Sequence, residues 1–210
     1  MKLYYAPGAC SLAPHIVARE AGLELDLVKV DLAAKRTEAG EDYLAINTKG
    51  SVPALRLDDG PVLTENAVVL QYLAAQAPAA RLMPEHGFER YRLLEWLNFV
   101  ATELHKGFGP LWNPATPDSV RQATRDTLGG KFDYLQQALE GRDYLTGDRF
   151  TIADAYAFVV LNWTAMHDID LSRWPGLVAL AQRVAARPAV RNALGAEGLL
   201  DEAPAEAEAV

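Results

Sequence analysis

The apolar spacing of this chain changes period once, near residue 80, and that change restricts the fold more than any single motif. Upstream of it, short β-branched runs alternate with short helical patterns. KLYY (2–5) reads as a strand, and a helical pattern follows from Ser11 to Ala21, where Gly22 stops it. In LVKVDL (27–32), Val28, Val30 and Leu32 alternate with Lys29 and Asp31, the two-residue period of a half-buried strand. ALRLDDGPVL (54–63) reads as a hairpin around Asp58-Asp59-Gly60, and ENAVVLQYLAAQ (65–76) as a helix. A β-α-β unit followed by a hairpin needs one parallel and one antiparallel pairing, hence a small mixed sheet with helices packed on it.

Downstream the pattern is helical. AAQAPAARLMPEHG (74–87) carries two prolines and a glycine and reads as a linker. A long helix is then expected with Tyr91, Leu94, Leu97, Ala101 and Leu104 on its apolar face. Thr116-Pro117 reads as an N-cap with proline at the first helical position, opening a helix that carries Val120, Leu128, Phe132 and Leu135. Gly129-Gly130 lies inside that pattern at roughly 1 kcal/mol per glycine, which allows a bend or a break. Thr151 and Asp154 have the spacing of a capping box, Asp standing in for Glu, ahead of the most apolar helix, with Ala157, Val160 and Leu161. A further helix begins at Pro175 and carries Leu177, Leu180 and Val184. The expected class is α/β plus all-α. The sheet domain spans 1–80, a linker 81–87 and an all-helical domain 88–200, with an acidic tail over 201–210 expected to fray.

A net charge of −8 argues against nucleic acid or an anionic membrane as the main partner. No stretch approaches a transmembrane span or the apolar core of a signal peptide. The chain has one cysteine, so an internal disulfide is excluded and a reducing, cytoplasmic setting is the expectation.

That cysteine stands in YAPGACSLAPH (5–15). Cys10 reads as a buried small hydrophobe, a metal ligand or a thiol placed for its chemistry. With His15 it supplies only two metal ligands, and no CxxC pair completes a set, so no metal site is expected. It falls where the first strand ends and the first helix begins, and Pro14 fits a first helical turn. Unpaired N–H groups and the helix dipole contribute roughly 0.3–2 kcal/mol there, against about 1.36 kcal/mol per pKa unit. The position therefore predicts a thiol about one unit more acidic than the free value near 8.5. Val52-Pro53 opens the next strand; a trans bond is the ordinary form, whereas a cis bond would turn the Val52 backbone N–H and C=O toward a ligand beside the thiol. Glu65, at a helix start, is a dipole-compensating surface charge or a partner for an ammonium. Asn66 and the free N–H groups beside it suit a carboxylate. Asn98, Thr102 and His105 fall at i, i+4 and i+7, one polar stripe that is either a solvated face or a site face. A ligand with a thiol, a peptide backbone and a γ-linked amino-acid end matches the groups around Cys10.

MKLYYAPGACSLAPHI, KGSVPAL (49–55), LTENAVVLQYL, RYRLLEWLNFVATELHKGF (90–108) and RFTIADAYAF (149–158) together resemble the cytosolic glutathione transferases, most closely the bacterial beta class, across residues 1–200. The resemblance implies a thioredoxin-like N-terminal domain, an all-helical C-terminal domain, a homodimer and glutathione as co-substrate. It assigns the Val52 backbone, before the family's cis-proline Pro53, to the cysteinyl part of glutathione. It assigns Lys35 to the glycyl carboxylate, and Glu65 with Asn66 to the γ-glutamyl end. The class commonly has Ser at the position of Asn66. His105 is implied to approach Cys10, acidifying it further when protonated, and Asn98 and Glu103 to reach the partner subunit's glutathione. The implied activity is transfer of glutathione to small hydrophobic electrophiles in a pocket near Trp112 and Trp163, with thiol–disulfide exchange through Cys10 beside it. Tyr5 reads as a core aromatic, and Ser11 as a donor or a cap. The alternative is a non-catalytic protein that binds glutathione or hydrophobic ligands. The joint presence of Cys10, Pro53, Glu65 and His105 counts against it.

Overall fold

A computed structural model describes residues 1–200; the expected fraying of 201–210 lies outside the described residues. The first strand β1 (Lys2–Tyr5) leads into α1 (Leu12–Glu20), β2 (Asp26–Asp31) and a two-residue strand β3 (Arg36–Thr37). The hairpin β4 (Ala54–Arg56) and β5 (Val62–Thr64) precedes α2 (Asn66–Gln76). The sheet runs β3-β2-β1-β4-β5, parallel only between β1 and β2. The mixed sheet is thus as expected, and β3 is an addition too short to show a period. Leu3 has Leu27 and Leu55 as its neighbours on the flanking strands and faces the main core, while Tyr4 faces a smaller cluster with Val30, Tyr43, Val52 and Ala54. The strand's alternation therefore serves two packed faces rather than one.

After α2 the chain is helical: α3 (Phe88–Phe99), a π-helical segment (Val100–His105), a 3₁₀ turn (Lys106–Phe108) and a single turn α4 (Gly109–Trp112). Then come α5 (Asp118–Ala138), α6 (Ile152–Asn162), α7 (Pro175–Ala185) and α8 (Pro188–Ala196). No helix among the described residues is long and apolar enough to cross a membrane.

The helical half differs from the reading of the sequence at several points. The buried stripe of α3 is Leu93, Leu97, Val100 and Leu104 with Trp96, and Tyr91 is 66% exposed. Both stripes satisfy the helical period and share Leu97 and Leu104; burial falls on the one that also holds Leu93 and Trp96. The residue before α5 is Pro117, extended at φ −59°, ψ 146°, rather than Thr116, and Val120 near its start is exposed. Helix α5 runs unbroken through Gly129-Gly130; a side chain at Gly129 would make ordinary contact with the Trp174 ring at 3.7 Å and one at Gly130 would meet nothing, so packing does not require either glycine. Helix α8, which the sequence reading did not resolve, follows α7 after two residues.

Helix α6 is buried from Ile152 to Leu161 and passes under α1 and α7. A helix so enclosed needs its first N–H groups satisfied internally, and the expected capping box does this. Asp154 accepts from the Thr151 N–H (2.8 Å), the Thr151 hydroxyl (2.8 Å) and the Leu145 N–H (2.8 Å). Burial pushes its carboxyl up to about 6, with the three donors pulling the other way.

Three further bonds hold the helical half to the sheet half. His15 of α1 donates from Nδ1 to Glu197 (2.9 Å), and both side chains are buried. The second Glu197 oxygen accepts from the Gly8 N–H (3.1 Å), and the Trp163 indole donates to the Gly8 carbonyl (2.9 Å). Gly8 has φ +70°, a conformation that favours glycine.

Thr151→Ala should lower stability by about 1–2 kcal/mol. Asp154→Ala should cost more, because two buried N–H groups lose their acceptor at roughly 1–3 kcal/mol each. Urea unfolding at constant m checks both; a wild-type midpoint for Thr151→Ala would contradict the capping account.

Candidate active site

Cys10 lies in the loop from β1 to α1, two residues before Leu12, as its position predicts. Its surroundings do not follow the prediction. The side chain is buried, its Sγ donates to the Val52 carbonyl (3.2 Å), and burial pushes the thiol up to about 12. Backbone N–H groups and the Lys106 charge act in the opposite direction and are outweighed. The expected acidic thiol is therefore corrected: desolvation can move a pKa by as much as 3–5 units, and a helix terminus by about one.

The loop under Cys10 is pinned from the sheet side as well. Ser11 accepts from the Ala6 N–H (3.1 Å) and donates to its carbonyl (3.3 Å), so it braces the loop rather than capping α1. The Tyr43 hydroxyl and the Asn47 amide both donate to the Ser51 carbonyl (2.8 Å each), fixing the segment before Val52. The Val52–Pro53 bond is cis. Lys35, at φ 55°, reaches the Gly50 carbonyl (2.8 Å), which places it beside the same segment.

Cys10, Ser51, Val52 and His105 line one cavity of about 710 Å³, together with Trp112, Trp163 and Met166. Trp163 is buried, and Trp112 stands perpendicular to it at 5.5 Å with nearly half its surface exposed. The pocket expected near these two tryptophans is thus in place.

His105 is half-buried at the end of the π-helical segment. Its Nδ1 lies 2.6 Å from the Tyr156 hydroxyl, and its ring meets Trp163 edge-on at 4.9 Å. Burial, helped by the neighbouring Lys106 charge, draws its pKa down to about 4. At neutral pH His105 is uncharged, so the expected acidification of Cys10 by a protonated His105 does not arise.

At the start of α2, Glu65 is exposed at φ 68°, ψ 116°, a backbone region that costs on the order of 1–3 kcal/mol for a residue with a side chain. Lys49 bonds its carboxylate and holds it below the usual range; Lys49 also donates to Thr64 (2.9 Å). Asn66 is buried, and both its amide nitrogen and its amide oxygen lack a partner among the described residues. Buried polar atoms in that condition call for an explanation, and a ligand is one.

Asn98 and Glu103 are not brought to this cavity within one chain. Both are exposed beside Lys131 and Tyr134, where Glu103 pairs with Lys131. The π-helical turns separate His105 from the Asn98–Thr102 stripe, so the expected single polar face does not form. Lys49, Lys106 and Tyr156 were not singled out by the sequence reading. All three lie inside the quoted motifs, and Tyr156 reads there only as one more apolar position on a buried helix.

Family models for the glutathione S-transferase N-terminal domain and C-terminal domain match residues 8–76 and 99–188. Glutathione S-transferase GstA of Escherichia coli O157:H7 is 50% identical over 200 residues, covering 95% of this chain and 100% of its own. A sphingomonad glutathione S-transferase solved in complex with glutathione superposes with a TM-score of 0.92 at 50% identity, over 95% of this chain and 100% of that one. The bacterial beta class transferase of Sphingomonas chungbukensis does so with a TM-score of 0.92 at 46% identity, over the same shares. The thioredoxin-like sheet half, the all-helical half and these likenesses agree: the chain belongs to the glutathione S-transferase family, and within it to the bacterial beta class.

Proposed function

We propose that this transferase joins the sulfur of reduced glutathione to small hydrophobic electrophiles in the cavity between its sheet half and its helices. The observation that carries this reading is the mixed lining of one cavity: Val52, Cys10 and His105 stand in it together with Trp112, Trp163 and Met166. The polar groups suit a peptide thiol and the apolar ones a hydrophobic reactant. The sphingomonad relative solved with glutathione supports the choice of co-substrate.

Site roles are carried over from the family resemblance, residue by residue. The Val52 backbone pairs with the cysteinyl unit, with Pro53 behind it, and Lys35 neutralises the glycyl carboxylate. Glu65, kept ionised by Lys49, takes the γ-glutamyl ammonium, and the Asn66 amide with the α2 N-terminus takes its carboxylate. Cys10 stays protonated and donates to the glutathione sulfur; a donor to the charged form favours the thiolate. That thiolate attacks the electrophilic carbon, the C–S bond forms, and the leaving group departs with its electron pair while the thiol proton passes to solvent. Exchange through Cys10 takes second place, since its nucleophile would be a thiolate that burial opposes. The non-catalytic alternative has less support, because the apolar groups and the thiol share one cavity. A second copy of the chain would pack on the α3–α5 face, where Tyr91 and Tyr134 are exposed, and bring Asn98 and Glu103 toward the neighbouring site. A cytoplasmic location fits a thiol-dependent enzyme.

Glu65→Ala should weaken glutathione binding by about 10- to 100-fold, the loss of one charge-assisted hydrogen bond. Unchanged affinity in calorimetry would remove Glu65 from the site. Turnover of an activated aryl halide separates the two roles of the cysteine: Cys10→Ser, which keeps a donor, should stay within about tenfold of wild type, and Cys10→Ala should fall below it. Equal losses in both variants would make the sulfur of Cys10 itself the reacting group.

A further inference from the structure

Tyr156 sits in the middle of α6 and is almost fully buried. Its one hydrogen bond among the described residues joins it to His105 Nδ1 at 2.6 Å, across 51 positions of sequence. The imidazole is held edge-on to the Tyr156 ring (85°) and to the Trp163 ring (75°), so its plane is fixed from two sides. On the sheet side, the Asn66 amide approaches the same hydroxyl without meeting hydrogen-bond geometry.

Two arrangements suit a hydroxyl and a neutral imidazole at this distance. Either the phenol donates to Nδ1 and the ring carries its proton on Nε2, or Nδ1–H donates to the phenol oxygen and the phenol proton goes elsewhere. The second arrangement needs another acceptor for that proton, and the Asn66 amide, the other polar group beside the hydroxyl, forms no hydrogen bond with it. Burial also raises the phenol well above its usual value, so it keeps its proton. We propose that Tyr156 is a positioning residue: its hydroxyl donates to Nδ1 of His105 and holds the imidazole as the Nε2–H tautomer. His105 lines the cavity, so this tautomer makes its second ring nitrogen, Nε2, a donor and not an acceptor there. The use of that N–H on the glutathione sulfur rests on the function proposed above; the tautomer itself does not.

The test is imidazole nitrogen NMR on the ¹⁵N-labelled full chain, with the His105 signals assigned by their loss in His105→Gln. The expected wild-type pattern is a protonated Nε2 and an unprotonated Nδ1, and Tyr156→Phe should shift it toward a mixture of tautomers. A wild-type Nδ1–H signal, or an unchanged pattern in Tyr156→Phe, would overturn the proposal. Kinetics give a second reading: Tyr156→Phe should lower kcat about tenfold and leave KM for glutathione within about twofold. A loss confined to KM would count against it. Should Tyr156→Phe fail to fold, His105→Gln and His105→Asn decide. The glutamine nitrogen falls near Nε2 and the asparagine nitrogen near Nδ1, so glutamine should retain the higher kcat; asparagine matching or exceeding it would overturn the assignment. Wild-type turnover in His105→Ala would sink the catalytic use of the histidine, while leaving the tautomer result to stand or fall alone.

Discussion

The Gly8 peptide group is the point on which the site depends. Its N–H is taken by Glu197, just beyond α8, and its carbonyl by the Trp163 indole after α6, so elements 155 and 189 residues away grip one turn of the first loop. Glu197 in turn is held by the buried His15 of α1. A loop between a strand and a helix is by default solvated and mobile; here both sides of its central peptide are bonded to the helical half. The two halves cannot separate without breaking these bonds, and the cavity that holds Cys10 exists only where they meet.

That enclosure decides the chemistry of the cysteine. At an open helix terminus, N–H groups and the dipole would acidify a thiol by about one pKa unit. Closed in by the helical half and bonded to Val52, Cys10 is instead pushed up to about 12. His105 follows the same rule with the opposite sign, since burial removes the charge of a base as it suppresses that of an acid. The cavity wall therefore offers a neutral thiol and a neutral imidazole, two donors with their protons in place. Such a site stabilises an anion brought to it and does not generate one on the protein. Permanent charges stand outside its lining, where Glu65 pairs with Lys49 and Lys35 bonds to Gly50.

Legibility in the sequence follows the range of the forces involved. Local rules delivered the strands, the hairpin, the capping box at Thr151 and the helix starting at Pro175, because each depends on neighbours a few positions away. Strand β3 has two residues and no period to read. The buried stripe of α3 was ambiguous because two stripes share Leu97 and Leu104, and the π-helical turns that carry His105 leave no local mark. The positions of Cys10, Val52 and Glu65 were legible, and the sign of the Cys10 shift was not, since it is set by burial that only the assembled fold produces. Tyr156 was hidden for a related reason: its apolar ring satisfies the helix pattern, and only the fold shows that its hydroxyl meets a histidine.

The central claim is that Cys10 works as a buried, protonated donor, and the pH dependence of its alkylation tests it most directly. The chain has a single cysteine, so intact-mass readings of the native protein report on that thiol alone. The account predicts a slow rate that keeps rising with pH through about 10 without a plateau, because only the thiolate reacts. A plateau with a midpoint below about 8.5 would show an activated thiolate and contradict it.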